Sequence, residues 1–188
     1  PRVTVDAVFA PIAGFMGGIL AGVITTGILP LIEMSFGFTT NIKLLELANL
    51  DQPLLRDLMV QAPGTYHHSV ITSNMVEATA KAVDANPLLA KVSAYYHDIG
   101  KMKKPEYCLE NQRGGENPHE QLKPQLSALI IKSHVKEGLE LARQHNLPQE
   151  IADFIPMHHG TIRIDYFYKK AKEEAQRTGE EINESDFR

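Results

Sequence analysis

The chain has a single cysteine, Cys108, among 188 residues, so it can form no intrachain disulfide and no thiolate cage around a metal. That favours a reducing compartment. It also lacks a basic excess: the net charge is −4, which leaves no positive field for polymeric nucleic acid, and none is expected as a partner. No stretch alternates apolar and polar residues convincingly, and no internal repeat is present, so the soluble part is read as all-α. The length is enough for one sizeable domain plus an appendage, and the composition is ordinary for a globular protein.

Charge is missing altogether from Ala7 to Ile32. A helix of that length spans about 39 Å at about 1.5 Å per residue, ample for a hydrocarbon core of roughly 30 Å. Gly14, Gly18 and Gly22 recur on one face, the small-residue pattern by which membrane helices approach closely. The glycines and two prolines make a poor soluble helix, and a run this long behind Arg2 alone fits a signal peptide badly. Residues 1–36 are therefore expected to cross a membrane, in contact with lipid and other transmembrane helices. Residues 37–52 read as a linker and 53–188 as the soluble domain. Arg2 against Lys43 and Arg56 is too small a bias to orient the span.

Along the soluble part, Thr40 and Asn41 are candidate caps and Pro53 opens a helix. After Gly64-Thr65 comes a helix with Val70, Val76, Thr79, Ala80 and Val83 roughly on one face. Asn86-Pro87 starts the next, which runs to Gly100. Residues 101–123, rich in Pro, Gly and Asn, read as a long loop. Pro124 to Asn146 reads as a helix with Leu126, Leu129, Ile130, Leu139 and Ala142 inward. QEIADFIPMHH follows Pro148 and closes at Gly160, YFYKKAKEEAQRTG is a charged helix, and EEINESDFR reads as a frayed polar tail.

Eight histidines punctuate this pattern. His145, near a helix C-terminus, is explained by the helix dipole, and His119 has no assignment. His68, His97, His134 and the pair His158-His159 sit on four separate helices, each in or beside an apolar stretch. Buried imidazoles need partners, and few buried carboxylates besides Asp98 are on offer. A metal resolves this, since neutral imidazole is its commonest nitrogen ligand. Five histidines and one aspartate exceed what one ion with an open position needs, and suit two ions with Asp98 as a bridge. The sulfur-free shell points to two divalent or mixed-valence transition-metal ions, iron or manganese first among them. Neighbours on a helix point about 100° apart, so His158 and His159 can face one ion only where the helix ends, at Gly160.

The ordered series H68-S69, H97-D98-I99-G100-K101, His134 and H158-H159-G160 resembles the HD-domain metal-dependent phosphohydrolase superfamily. YHHS, HDIGKMKKPEY, ENQ, NPHE, IIKSHV, LPQEIADFI, HHGT and YFYKKA are similar to one branch, the membrane-anchored seven-transmembrane-receptor HD family. The resemblance implies an all-α HD-domain helical bundle preceded by the last transmembrane helix of a membrane region, with the HD domain in the cytoplasm. It implies hydrolysis of cyclic di-AMP. It also implies one ion on His68, His97 and Asp98 and another on Asp98, His134, His158 and His159. The pattern's closing aspartate has no match: Asp165 follows His159 too soon, and Asp186 lies in the polar tail. The domain is thus expected to be truncated at its C-terminus or to omit that ligand.

The reaction expected of such a pair of ions is direct phosphodiester hydrolysis by a bridging hydroxide, yielding linear pApA, with no serine or cysteine nucleophile. Lys101 is placed to neutralise a phosphate oxygen. Tyr107, Asn111 and Arg113 lie in the long loop, where a nucleobase or phosphate can be gripped, whereas Lys103 and Lys104 read as a solvated basic loop. Two alternatives stand beside this: another HD phosphohydrolase acting on a different nucleotide, or a non-catalytic nucleotide-binding output domain. The cyclic di-GMP branch carries a Gly-Tyr-Pro motif that TIRIDYFY lacks. A homodimer is compatible with the sequence.

Overall fold

The computed structural model describes residues 5–112 and 114–188, and those residues are helices, turns and connections without a strand. Arg2 and Arg113 lie outside the described residues. The chain divides into two compact units at Thr40/Asn41. The first is a single helix, α1 (Val5–Phe36). Its segment Phe9–Leu29 is long and apolar enough to cross a membrane, about 32 Å at about 1.5 Å per residue, and none of it is buried within the protein. Thr26 returns its hydroxyl to the Gly22 carbonyl at 2.8 Å, so that polar group is satisfied by the helix's own backbone.

The second unit is a helical bundle of α2 (Asn41–Leu47), α3 (Pro53–Gln61), α4 (Pro63–Ala82), α5 (Pro87–Tyr96), α6 (Pro124–Gln144), α7 (Gln149–Ala152), α8 (Phe154–Met157) and α9 (Asp165–Thr178). Four of these open on proline, where its missing N–H costs nothing. Asn86 also caps α5, its side chain accepting from the N–H groups of Leu88 and Leu89 at 3.1 and 3.0 Å. α5 runs through the centre: Val92, Tyr95 and Tyr96 are buried, and the Tyr96 hydroxyl donates to the Leu47 carbonyl at 2.9 Å. Leu44, Leu54, Leu55 and Leu58 cover one side of it, and Ile151 and Ile155 join the same core. Part of the stretch read as a linker, 37–52, is thus α2, with Leu44 and Leu47 in that core.

Several expectations are corrected. On α4 the buried face is Thr65, Ser69, Ser73 and Ala80, while Thr79 and Val83 are exposed. The helix packs against α5 through small hydroxylated residues, which hydrophobicity alone does not flag. On α6, Leu126 and Leu129 are 44% and 59% exposed, whereas Ala142 is inward as expected, together with Ser127, Ala128, His134, Gly138 and Leu141. The long loop is a string of 3₁₀ turns, Ile99–Lys103, Pro105–Tyr107, Leu109–Asn111 and Pro118–Gln121. The tail is docked: Phe187 is fully buried with Ala128, Phe167 and Ala171 in a second small core, and the Ile164 N–H donates to its carbonyl at 2.8 Å.

One backbone contact fixes how the bundle closes. At Gly100 the Ile99–Lys103 turn crosses α6 so closely that a Cβ there would stand 1.8 Å from the His134 carbonyl oxygen and 2.6 Å from the Gly138 nitrogen. Both are backbone atoms and cannot swing aside, so only glycine fits. Gly100→Ala should lower stability by about 3 kcal/mol or more, read as a lower midpoint in urea unfolding. A parental midpoint would mean the crossing is not a constraint.

Candidate metal centre

Five elements deliver the site. His68 is in the second turn of α4. His97 and Asp98 stand where α5 gives way to the 3₁₀ turn, and the Gly100 crossing presses that turn onto α6 beside His134. His158 and His159 follow α8 where the helix breaks, and Gly160 takes a left-handed conformation at φ +55°. Asp98 and His134 are almost completely buried, His97 nearly so, while His68 is exposed.

Two groups of donor atoms result, His68/His97/Asp98 and His134/His158/His159, each with its atoms within 4.8 Å of one another. Asp98 belongs to both regions. Its Oδ2 lies 3.1 Å from His97 Nε2, and its Oδ1 lies 3.5 Å from the Nε2 atoms of both His134 and His158. His159 Nε2 is 3.1 Å from His134 Nε2, which is 3.5 Å from His158 Nε2.

The other ring nitrogens decide what these contacts mean. His97 Nδ1 donates to the Ala94 carbonyl at 2.8 Å, His158 Nδ1 to the Ile155 carbonyl at 2.7 Å, and His134 Nδ1 to the Ile131 carbonyl. A carbonyl only accepts, so Nδ1 carries a proton in each ring, and the neutral form of each imidazole turns a bare Nε2 lone pair inward. Burial also holds His134 below its usual pKa, which keeps it neutral, and burial together with His158 and His134 lowers His159 to about 4. Asp98 is ionised: burial pushes its carboxyl up, but the Lys101 ammonium at 2.8 Å opposes this, and the carboxyl is held well below the usual carboxylate range. Three acceptors, His134 Nε2, His158 Nε2 and Asp98 Oδ1, therefore face each other with no proton between them, and Asp98 Oδ1 is buried without a hydrogen-bond donor. A cation is what such a set of donors accommodates, and the nitrogen and carboxylate donors fit a first-row transition metal. The carbonyls that hold each Nδ1 proton are the outer partners that orient metal-binding histidines.

Lys101 completes the electrostatics. Its ammonium is 2.8 Å from Asp98 Oδ2 and 2.8 Å from Glu110 Oε1; burial opposes its charge, and these carboxylates more than restore it. Sequence reasoning met Glu110 only within the ENQ stretch of the resemblance and assigned it no role. The Asn111 side chain clasps Thr65, donating to the hydroxyl at 2.8 Å and accepting from the backbone N–H at 3.1 Å. Tyr107 is partly exposed beside the site and lines a small cavity with Lys101 and His134. Its carbonyl accepts from His119 Nε2 at 2.9 Å, so the unassigned His119 is a buried prop, stacked between Tyr107 and Phe167. Lys103 is exposed, whereas Lys104 pairs with Glu137 at 3.4 Å.

Comparison with known proteins bears on this geometry. The family description of the HD domain matches residues 65–185. The cyclic-di-AMP phosphodiesterase PgpH of Bacillus subtilis (strain 168) is 46% identical over 175 residues, which cover 93% of this chain and 24% of that protein. The chain thus spans about a quarter of that relative's length. The crystal structure of the L. monocytogenes PgpH HD domain superposes with a TM-score of 0.67 at 46% identity, covering 73% of this chain and 62% of that one. The same domain in complex with cyclic-di-AMP gives 0.69 at 46% identity, covering 74% and 64%.

The cavity beside His134 also holds Cys108, whose thiol burial pushes up to about 12. A thiol so little ionised at pH 8 reacts slowly, because only the thiolate attacks. Cys108 in the native protein should react with Ellman's reagent more than about a hundredfold slower than in urea. Equal rates would refute this environment.

Proposed function

This chain belongs to the HD-domain family, and from that membership we propose that it is the phosphodiesterase part of a membrane-anchored signalling protein, of the seven-transmembrane-receptor branch. It hydrolyses cyclic di-AMP to linear pApA, water adding across one phosphorus–oxygen bond of the ring. The observation that carries the reading is the set of facing acceptors at Asp98, His134 and His158, which calls for a cation where no proton is found.

Two ions are assigned: one to His68, His97 and Asp98, the other to His134, His158 and His159 with Asp98 shared. Such ions, iron or manganese by the donor set, supply Lewis acidity toward water and toward the phosphoryl oxygens. The chain's own residues do the rest. Carbonyls of Ala94, Ile131 and Ile155 lock three rings so that their Nε2 atoms stay aimed inward. Asp98, kept ionised, serves both groups through its two oxygens. Lys101 holds positive charge beside it for a non-bridging phosphate oxygen, and Tyr107 borders the place where a nucleobase would lie. The similarity to a PgpH HD domain crystallised with cyclic-di-AMP supports the choice of substrate. The length and apolarity of Phe9–Leu29 support a membrane anchor, and the cytoplasmic side for the HD domain is what the family resemblance implies.

The purified chain should carry close to two transition-metal ions by elemental analysis and release pApA from cyclic di-AMP. The group with four donors should hold its ion more tightly, so chelator removes first the ion lost in His68→Ala. Asp98→Ala should lose both ions and reduce turnover by more than about a thousandfold, with helical circular dichroism retained. Parental turnover in that variant, or turnover in the metal-free protein, would sink the mechanism.

A further inference from the structure

Lys101 has two carboxylate partners, and the second leads away from the metal centre. Glu110 Oε1, 2.8 Å from the ammonium, also accepts from the Thr65 hydroxyl at 3.0 Å. Thr65 is completely buried in the first turn of α4, where Asn111 clasps both its backbone N–H and its hydroxyl. Gly64 lies against the same segment: a Cβ there would stand 1.8 Å from the Glu110 carbonyl oxygen. Residues 110 and 111 are thus seated on the first turn of α4, and His68 follows Thr65 by three residues in the next turn. A polar chain runs Asp98–Lys101–Glu110–Thr65, joining the 3₁₀ turn after α5 to the start of α4.

We propose that Glu110 is a positioning residue: it holds the Lys101 ammonium beside Asp98 and ties it to the first turn of α4, just ahead of His68. The inference rests on the phosphodiesterase reading above. A lysine ammonium sits on a flexible four-carbon stem and binds phosphate as a point charge. Restrained by Asp98 alone it can swing about that one contact. With carboxylates on two sides, it is fixed before substrate arrives, and preorganised charge is what stabilises a transition state. The arrangement also moderates attraction for the ground state, because Glu110 offsets part of the ammonium's charge. Removing that negative charge should therefore lower kcat without raising KM.

Glu110→Gln tests this, since the amide oxygen can still accept from Thr65 while the charge is lost. In the full chain, kcat for cyclic di-AMP should fall about tenfold, with KM unchanged or lower. Metal content and melting temperature should stay at parental values. Calorimetric binding of a phosphorothioate analogue of the dinucleotide should be as tight or tighter. In a double-mutant cycle, Lys101→Met alone should lower kcat/KM by about a hundredfold, and adding Glu110→Gln should change it by less than about twofold. Parental kcat in Glu110→Gln overturns the inference, as does a tenfold loss that persists in the Lys101→Met background. A metal-loaded parental chain that cleaves no cyclic dinucleotide overturns the phosphodiesterase reading and takes the inference with it. The two failures are told apart by whether the parental chain turns over.

Discussion

The second unit is organised around one buried negative charge. Asp98 is 2% exposed, and an ionised carboxylate in such a place is opposed by a desolvation penalty of several kcal/mol, in order of magnitude. The fold answers it on one oxygen only: Oδ2 has the Lys101 ammonium at 2.8 Å. Oδ1 is surrounded by ring nitrogens that have committed their protons to backbone carbonyls. A structural salt bridge would have used those protons on the carboxylate. Spending them on carbonyls instead leaves lone pairs pointing at a negative oxygen, an arrangement unfavourable without a cation and well suited to one.

That geometry depends on backbone more than on side chains. Gly100 lets the turn carrying Asp98 lie on α6 at a distance no Cβ there allows, and this brings Asp98 within 3.5 Å of His134. The break at Gly160 lets His158 and His159 reach the same region from adjacent positions, with ring centroids 3.9 Å apart. Neither feature adds much apolar burial. The core formed by Leu58, Val92, Tyr96 and Ile99 supplies that, and it lies immediately beside the metal centre, since Ile99 follows Asp98 and Tyr96 precedes His97.

Much of this was legible in the sequence because the informative residues are few and chemically unambiguous. Prolines at first helical positions and the Asn86 cap mark helix starts by local sterics and hydrogen bonding alone, and the structure has helices there. Histidines placed in apolar stretches announce a shared partner, and the structure brings all five of those singled out together with Asp98. What was illegible depends on packing partners distant in sequence. Ser69 and Ser73 give no apolar signal in the sequence, and only the packed helices show that they are buried. Leu126 and Leu129 read as core, yet the Gly138 contact fixes the rotation of α6 and turns them outward. Asn111 read as a substrate contact because it is polar and in a loop, and only its spatial neighbour Thr65, 46 residues away, explains it.

The docked tail shows how the loop beside the site gains order without a core of its own. Phe187 packs edge-on to Tyr168, and the neighbouring Phe167 packs on His119, which in turn meets Tyr107. Each contact is modest, about 0.5–1.5 kcal/mol beyond area burial for an aromatic pair. Together they connect the second small core to the 3₁₀ turns that carry Tyr107 and Glu110. The loop is then held from two directions, by His119 on the α9 side and by Thr65 on the α4 side. A segment pinned at both ends can present Lys101 and Tyr107 in fixed positions while the residues between its turns stay exposed. Preorganisation here follows from where the loop is tied, since its interior is too polar and too short of apolar residues to be rigid by itself.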